Sequence, residues 1–181
     1  MCCVVPPVLE GRKRLVSIDP SLRGTGYAVL EHGGDLSKPL ALTYGVIRNG
    51  PKRLHSGCLL EIHRVLSGVL DEFRPTVAAF EAVIFVQSLR TAMTLGSARG
   101  VAILAAAAFG LEIYEYAPRR VKQAVVGHGG ADKSQVAFMV RAMLGLTETP
   151  PADAADALAI GLTHLQMGVA RGLDLTTKEQ I

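Results

Sequence analysis

Four acidic residues stand where carboxylates are costly or closely spaced. Glu81 interrupts VAAFEAV, residues 77–83, in which every other side chain is apolar. An ionised carboxylate in such a run is expensive unless a cation or a metal partners it, so the choice lies between a structural salt bridge and a site. Asp153 and Asp156 lie three apart in PPADAADALAI, a spacing that puts both on one helical face among Ala152, Ala154, Ala155 and Ala157. Capping and the helix macrodipole also favour acids in a first turn. Asp19 closes the apolar run LVSID ahead of Pro20. It is either a turn-forming aspartate or a group offered at a strand's C-terminal end, where sites collect in parallel sheets. If these acids converge, each pair repels by about 4 kcal/mol at roughly 4 Å and an effective dielectric near 20. Bound cations, protonation or basic partners must then offset the repulsion.

A cationic stretch is available. Residues 118–141 carry Arg119, Arg120, Lys122, Lys133 and Arg141 against the single acid Asp132, a larger excess than the +3 of the whole 181-residue chain. Such a surface is either a solvated face or a footprint for phosphates.

The elements that must position these residues follow from periodicity. Residues 15–30, LVSIDPSLRGTGYAVL, read as two strands around a corner: 15–18 favour β structure, Asp19-Pro20 starts a turn, Gly24 and Gly26 permit backbone conformations other residues avoid, and 27–30 resume an apolar strand. A third strand, 42–48, completes an antiparallel meander. Leu59, Ile62, Val65, Leu66, Val69 and Leu70 recur at helical spacing until Arg74-Pro75 stops them. A buried strand at 77–83, a helix at about 88–109 and a strand at 111–116 come next. Gly96 and Gly100 sit one turn apart in that helix, leaving room for the sheet or a second subunit to approach. Pro118 opens a helix through Val126, the GHGG run breaks it, Asp132 opens another through Leu144, and a last helix starts near Pro150-Pro151.

Composition bounds the class. Hydrophobic residues make up 49% and charged residues 19%, as expected for one packed domain and not for a disordered or coiled-coil chain. The longest apolar run, 101–109, has nine residues, short of the roughly 20 that span a bilayer, so no membrane partner is expected. Cys2, Cys3 and Cys58 offer neither a disulfide framework nor zinc spacing, and residues 1–9 make a poor signal peptide, which makes the cytoplasm the expected compartment.

Taken in order and spacing, SIDPSLRGTGY, the FEAV strand, LGSARGVAI, RRVKQAVVG, ADKSQV and PADAADALAI resemble the bacterial RuvC-type Holliday junction resolvases over residues 15–165. The resemblance implies an α/β, ribonuclease H-like fold, a mixed five-stranded sheet flanked by helices. On it, residues 1–13 form a flexible N-terminal extension, 14–167 the nuclease domain and 168–181 a disordered tail. It implies that Asp19, Glu81, Asp153 and Asp156 are the catalytic, metal-binding acids, holding two Mg²⁺ ions for which Mn²⁺ substitutes. Paired nicks in four-way junction DNA would leave 5′-phosphate and 3′-hydroxyl ends. Lys122 and Lys133 become phosphate contacts, with Arg119 and Arg120 beside them. Phe85 becomes the side chain that inserts into the junction, although the family's aromatic aligns with Ile84. A two-fold homodimer and a branch-migration motor complex of RuvA and RuvB type are the implied protein partners.

Three residues depart from the family pattern. Ser17 and Ser21 replace glycines, Ser17 on the same side of its strand as Asp19, which predicts crowding of or hydrogen bonding to the metal site. His128 replaces an aliphatic residue and reads as solvent-exposed. Two other functions share the opening corner. An actin-like or sugar-kinase-like ATPase needs two copies of the fold, for which this length leaves no room. A non-catalytic junction binder would not need all four acids.

Overall fold

The computed structural model describes residues 11–33, 38–83, 88–170 and 180–181. Strands β1 (Arg12–Asp19), β2 (Gly24–Gly33) and β3 (Leu40–Arg48) form the antiparallel meander, and β4 (Val77–Glu81) and β5 (Glu112–Tyr116) extend it parallel to β1. The order across the sheet is β3-β2-β1-β4-β5. Helix α1 (His55–Phe73) links β3 to β4, and α2 (Leu89–Ala108) links β4 to β5. Helices α3 (Pro118–Val126), α4 (Lys133–Leu144) and α5 (Ala152–Ala170) follow.

Period-two alternation divides the core. Val16, Ile18, Val29, Ala78 and Phe80 pack with α1 and α2 through Ile62, Leu66, Ala98 and Ala102. Leu15, Ala28, Leu30, Ala79 and Tyr116 pack with α3, α4 and α5 through Val121, Val136, Ala157 and Leu158. Odd-numbered residues of β1 and β4 therefore face α5. That parity decides where Asp19 and Glu81 point.

Local chemistry sets the helix ends. Arg74, at φ 49°, caps α1 in the left-handed region ahead of Pro75. Pro118 occupies the first turn of α3, and Gly127 at φ 91° ends it. Asp132 and Gln135 form a reciprocal capping box that fixes the first turn of α4, where Lys133 sits.

Three sequence expectations need correction. Gly24 and Gly26 lie inside β2, not in the turn, and neither adopts a positive φ. Their role is proximity: a Cβ on Gly26 would stand 1.9 Å from the carbonyl oxygen of Asp153, and one on Gly24 would stand 2.9 Å from the Asp153 carboxylate. The sheet begins at Arg12, inside the anticipated 1–13 extension, and Arg14 is buried in an ion pair with Glu31 at 2.8 Å. At the other terminus α5 runs to Ala170, and Gln180 bridges to Tyr114 at the far end of the anticipated tail.

Ser17 is the third. It faces α5 with Asp19, yet its hydroxyl meets Gly161, about one and a half turns beyond Asp156 at roughly 3.6 residues per turn, where a Cβ would lie 2.8 Å from Oγ. Ser17 is fully buried and Oγ has no hydrogen-bond partner among the described residues. Its effect is on packing and stability.

Two stability measurements test these contacts. Gly26→Ala forces backbone apart and is expected to cost about 3 kcal/mol, the upper end for overpacking, seen as a lower denaturant midpoint. Ser17→Ala removes an unsatisfied buried hydroxyl and is expected to stabilise by about 1 kcal/mol; a destabilised variant would show that Oγ is satisfied in solution.

Candidate active site

Asp19 is the last residue of β1 and Glu81 the last of β4, adjacent parallel strands paired through Ile18 and Phe80. Both side chains project on the α5 side. The first turn of α5 crosses β2 at Gly24 and Gly26, and Gly26 is the pairing partner of Asp19. That crossing brings Asp153 and, one turn on, Asp156 to the same edge of the sheet.

Among the described residues no hydrogen bond or ion pair occupies the carboxylates of Asp19, Glu81 or Asp153, so neither the turn-forming reading of Asp19 nor the salt-bridge reading of Glu81 is realised. Asp156 takes one partner, Lys133, whose ammonium lies 3.1 Å from Oδ2. No capping hydrogen bond to Asp153 or Asp156 is found among the described residues.

Convergence is visible in the proton affinities. Burial first, then Glu81, Asp156 and Asp153, raise the pKa of Asp19 from 3.8 to about 7, with Lys133 pulling against them. Glu81 is raised by burial and by Asp156, with Lys133 and Lys122 opposing. Lys133 is raised mainly by its bond to Asp156. Among the described residues no three His, Cys, Asp or Glu side chains are grouped closely enough to hold a metal ion. The donor set itself, carboxylate oxygens at half-buried positions, is the chemistry that hard divalent cations take.

The remaining site expectations divide. Lys133 stands at the acids, and Lys122 on α3 is near enough to bias Glu81. Arg119 is exposed, its stem laid over Gly129. Arg120 turns away, donating to Sδ of Met167 eleven residues past Asp156, about 16 Å along α5 at roughly 1.5 Å per residue. Ile84 and Phe85 lie outside the described residues. Ser21 is tied through its backbone: its N–H donates to Oγ1 of Thr25, whose hydroxyl donates back to the Ser21 carbonyl at 2.6 Å, and no hydrogen bond joins its hydroxyl to the acids among the described residues. His128 is exposed, as its sequence context suggests.

Sequence reading passed over Arg99. On α2 it donates to the backbone carbonyl of Glu81 at 2.7 Å, pairs with Glu115 on β5, and lies 5.5 Å from the ring centroid of Phe80. It thereby fixes the strand end that carries Glu81, and with Asp19, Glu81, Leu95 and Pro118 it lines a cleft of about 340 Å³. The available signal was a lone cation in the otherwise apolar LGSARGVAI.

Comparison with known proteins agrees with this geometry. The family model described as crossover junction endodeoxyribonuclease RuvC matches residues 15–164. A protein of that description from Akkermansia muciniphila is 53% identical over 152 residues, 84% of this chain and 90% of the relative. Another from Marinobacter nauticus is 47% identical over 153 residues, 84% of this chain and 86% of the relative. The solved structure of Thermus thermophilus RuvC in complex with Holliday junction substrate superimposes with a TM-score of 0.83 at 36% identity, covering 93% of this chain and 99% of that one. The mixed five-stranded sheet flanked by helices is thus the ribonuclease H-like arrangement anticipated above. With a family match across most of its length, this chain belongs to the RuvC family of crossover junction endodeoxyribonucleases.

Proposed function

We propose that this chain resolves four-way DNA junctions by metal-dependent hydrolysis, with Asp19, Glu81, Asp153 and Asp156 as the ligand set. The observation that carries the reading is the gathering of four carboxylates, three without a partner among the described residues, at one sheet edge beside Lys133. Mg²⁺, with Mn²⁺ as a substitute, fits the all-oxygen donor set, and a pair of such ions supplies an activated water and stabilises the leaving 3′ oxygen at phosphorus. The nick leaves a 5′-phosphate and a 3′-hydroxyl.

The protein's own groups prepare that site. Asp19 is poised to exchange a proton for a cation near neutral pH, since its pKa is about 7. Lys133 holds Asp156 in the metal-free protein and can exchange that carboxylate for a substrate phosphate. Lys122 adds positive charge on the Glu81 side, while Arg99 keeps the backbone of Glu81 in place. Phe85 remains our candidate for junction insertion.

A junction presents two symmetry-related strands, and a two-fold homodimer supplies two sites. The outward face of α2 supports that assembly. Leu89, Met93 and Leu104 are 79%, 68% and 60% exposed, and a Cβ built on Gly96 or Gly100 would meet no neighbouring element within 4 Å. Of the two neighbours considered for those glycines, the sheet is therefore not the one they meet. Alpha2 is also the one described helix long and apolar enough to cross a membrane, but its inner face packs on the sheet through Ala98, Ala102, Ala105 and Ala106. An apolar outer face of this kind suits a second copy. A motor of RuvA and RuvB type and a cytoplasmic location complete the proposal.

Asp153→Asn is expected to lower the rate of nicking a synthetic four-way junction in Mg²⁺ by at least about 100-fold while junction binding persists; undiminished cutting would remove Asp153 from the ligand set. A second measurement needs no catalysis. Because the folded pKa of Asp19 lies above its unfolded value, the metal-free protein loses stability as pH rises from about 4 to about 7 and carries the full penalty above that window. Asp19→Asn should therefore melt well above the chelated wild type at pH 8 and close to it at pH 5. Equal gaps at both pH values would refute the raised proton affinity.

A further inference from the structure

On the other side of the acids from α3 and α4, two loops are stitched into one unit. The β1–β2 corner holds Leu22 and Arg23, and the β3–α1 connection runs over residues 49–54. Asn49, 6% exposed, donates from its side chain to the carbonyls of Leu22 and Cys58, and its N–H donates to the carbonyl of Arg23. Nη1 of Arg23 in turn donates to the carbonyls of Gly50 at 2.5 Å and Arg53 at 3.1 Å. Nη1 of Arg53 donates to Oδ1 of Asn49. The result is a braced surface at the tip of the meander.

That surface is cationic. Arg23, Arg48, Lys52 and Arg53 are exposed, and no acid occurs in residues 20–30 or 48–60. Arg53 shares its charge with Glu61 at 3.3 Å, whereas Arg23, Arg48 and Lys52 have no ion pair among the described residues. Register places them relative to the site. Gly26 links Asp19 to Val46 across the sheet, and Gly24 pairs with Arg48. Arg48 thus emerges just past the edge that carries Asp19, two residues beyond the level of Val46 and displaced sideways by two strands, or about 10 Å at roughly 4.8 Å per strand. Pro118, opening α3, follows β5 at the opposite side of the sheet. The acids lie between two cationic flanks.

We propose that Arg48 and Lys52, on the loops braced by Asn49 and Arg23, form a second phosphate-binding platform that holds the nucleic-acid backbone on the β3 side of the scissile phosphate. The inference rests on the junction-cutting reading and deepens it by giving the substrate strand a second anchor. About 10 Å corresponds to roughly three nucleotides of duplex at about 3.4 Å each, so the contact falls on the cut arm itself. Bracing matters because a platform already ordered loses little further entropy on binding. Nothing in this arrangement reads bases, so it contributes affinity and placement without sequence preference.

The test is the salt dependence of binding, with the full-length protein, a fluorescent four-way junction and chelator to prevent cutting. Replacing both Arg48 and Lys52 by Gln should make the slope of log K against log salt shallower by about 2 and weaken binding by about tenfold or more at 100 mM salt. Lys52→Gln alone, on an exposed turn, should account for about half the slope change and guards against a folding defect in the pair. Lys13→Gln, an exposed cation at the opposite end of β1, should leave the slope as it is. A wild-type slope in the double variant, or an equal change from Lys13→Gln, would overturn the platform. A wild type that neither binds nor cuts the junction would instead overturn the function on which the platform rests.

Discussion

The structure depends on one close approach. The first turn of α5 lies against β2 so tightly that the Asp153 carbonyl occupies the space a Cβ on Gly26 would need. Farther along, Gly161 meets Ser17, Leu30 and Leu15 in the same way. A helix resting on a sheet through side chains would stand about 10 Å away; glycine on both surfaces lets backbone meet side chain or backbone. The helix cannot be lifted without separating Asp153 and Asp156 from Asp19 and Glu81. Alanines at 154, 155, 157 and 159, all buried, continue the small-residue face that permits the approach.

Proximity of that kind has an electrostatic cost, and the molecule answers it in part. Lys133 neutralises Asp156, Lys122 moderates Glu81, and Asp19 retains a proton near neutrality. Each device is reversible. A lysine can exchange a carboxylate for a phosphate, and a proton can exchange for a cation, so the devices that ease the crowding of the acids do not close the cluster off. A permanent arginine fork on the acids would have been more stabilising and would have occupied their carboxylate oxygens. Arg99 illustrates the distinction: it takes only the main-chain carbonyl of Glu81 and directs its charge to Glu115.

Much of this was legible in the sequence because the signals were local. Pro118 and Val126 bound α3 as anticipated, Arg74-Pro75 ended α1, and the lone acid in VAAFE marked β4. Parity alone could not put Asp19 and Glu81 on one face; that took the register between β1 and β4, Ile18 opposite Phe80, which no local signal carries. Less legible was whatever depended on what a residue meets. The Gly24 and Gly26 pair reads as a turn until α5 is known to cross there. Ser17 has the parity of Asp19, but the helix slopes over it, so its neighbour is Gly161. Arg120 is one residue from Arg119 and points along α5 to Met167, a consequence of helical phase that a charge count does not capture. Asn49, an ordinary loop residue by sequence, turned out to join two distant loops.

The two ends of the sheet differ in how their charged groups are partnered. At the end away from the acids, Arg14 and Glu31, each 3% exposed, pair at 2.8 Å, and Arg14 also donates to the carbonyl of Phe73, tying β1 and β2 to the end of α1. On α5, two turns past Asp156, His164 shares a hydrogen bond of 2.8 Å with the Tyr116 hydroxyl, and burial pushes its pKa down to about 4, so it stays neutral at physiological pH. These groups satisfy one another. Breaking such a buried ion pair by removing one member costs about 3–5 kcal/mol, because the other charge is stranded. At the acid end, where Tyr116 itself pairs with Glu81, the carboxylates of Asp19, Glu81 and Asp153 have no partner among the described residues, like charges adjoin, and cationic loops flank them. Helix α5 runs from one regime to the other, held by packing along its length. A rigid helix anchored where the chemistry is satisfied can therefore hold, one or two turns away, carboxylates that would otherwise move apart.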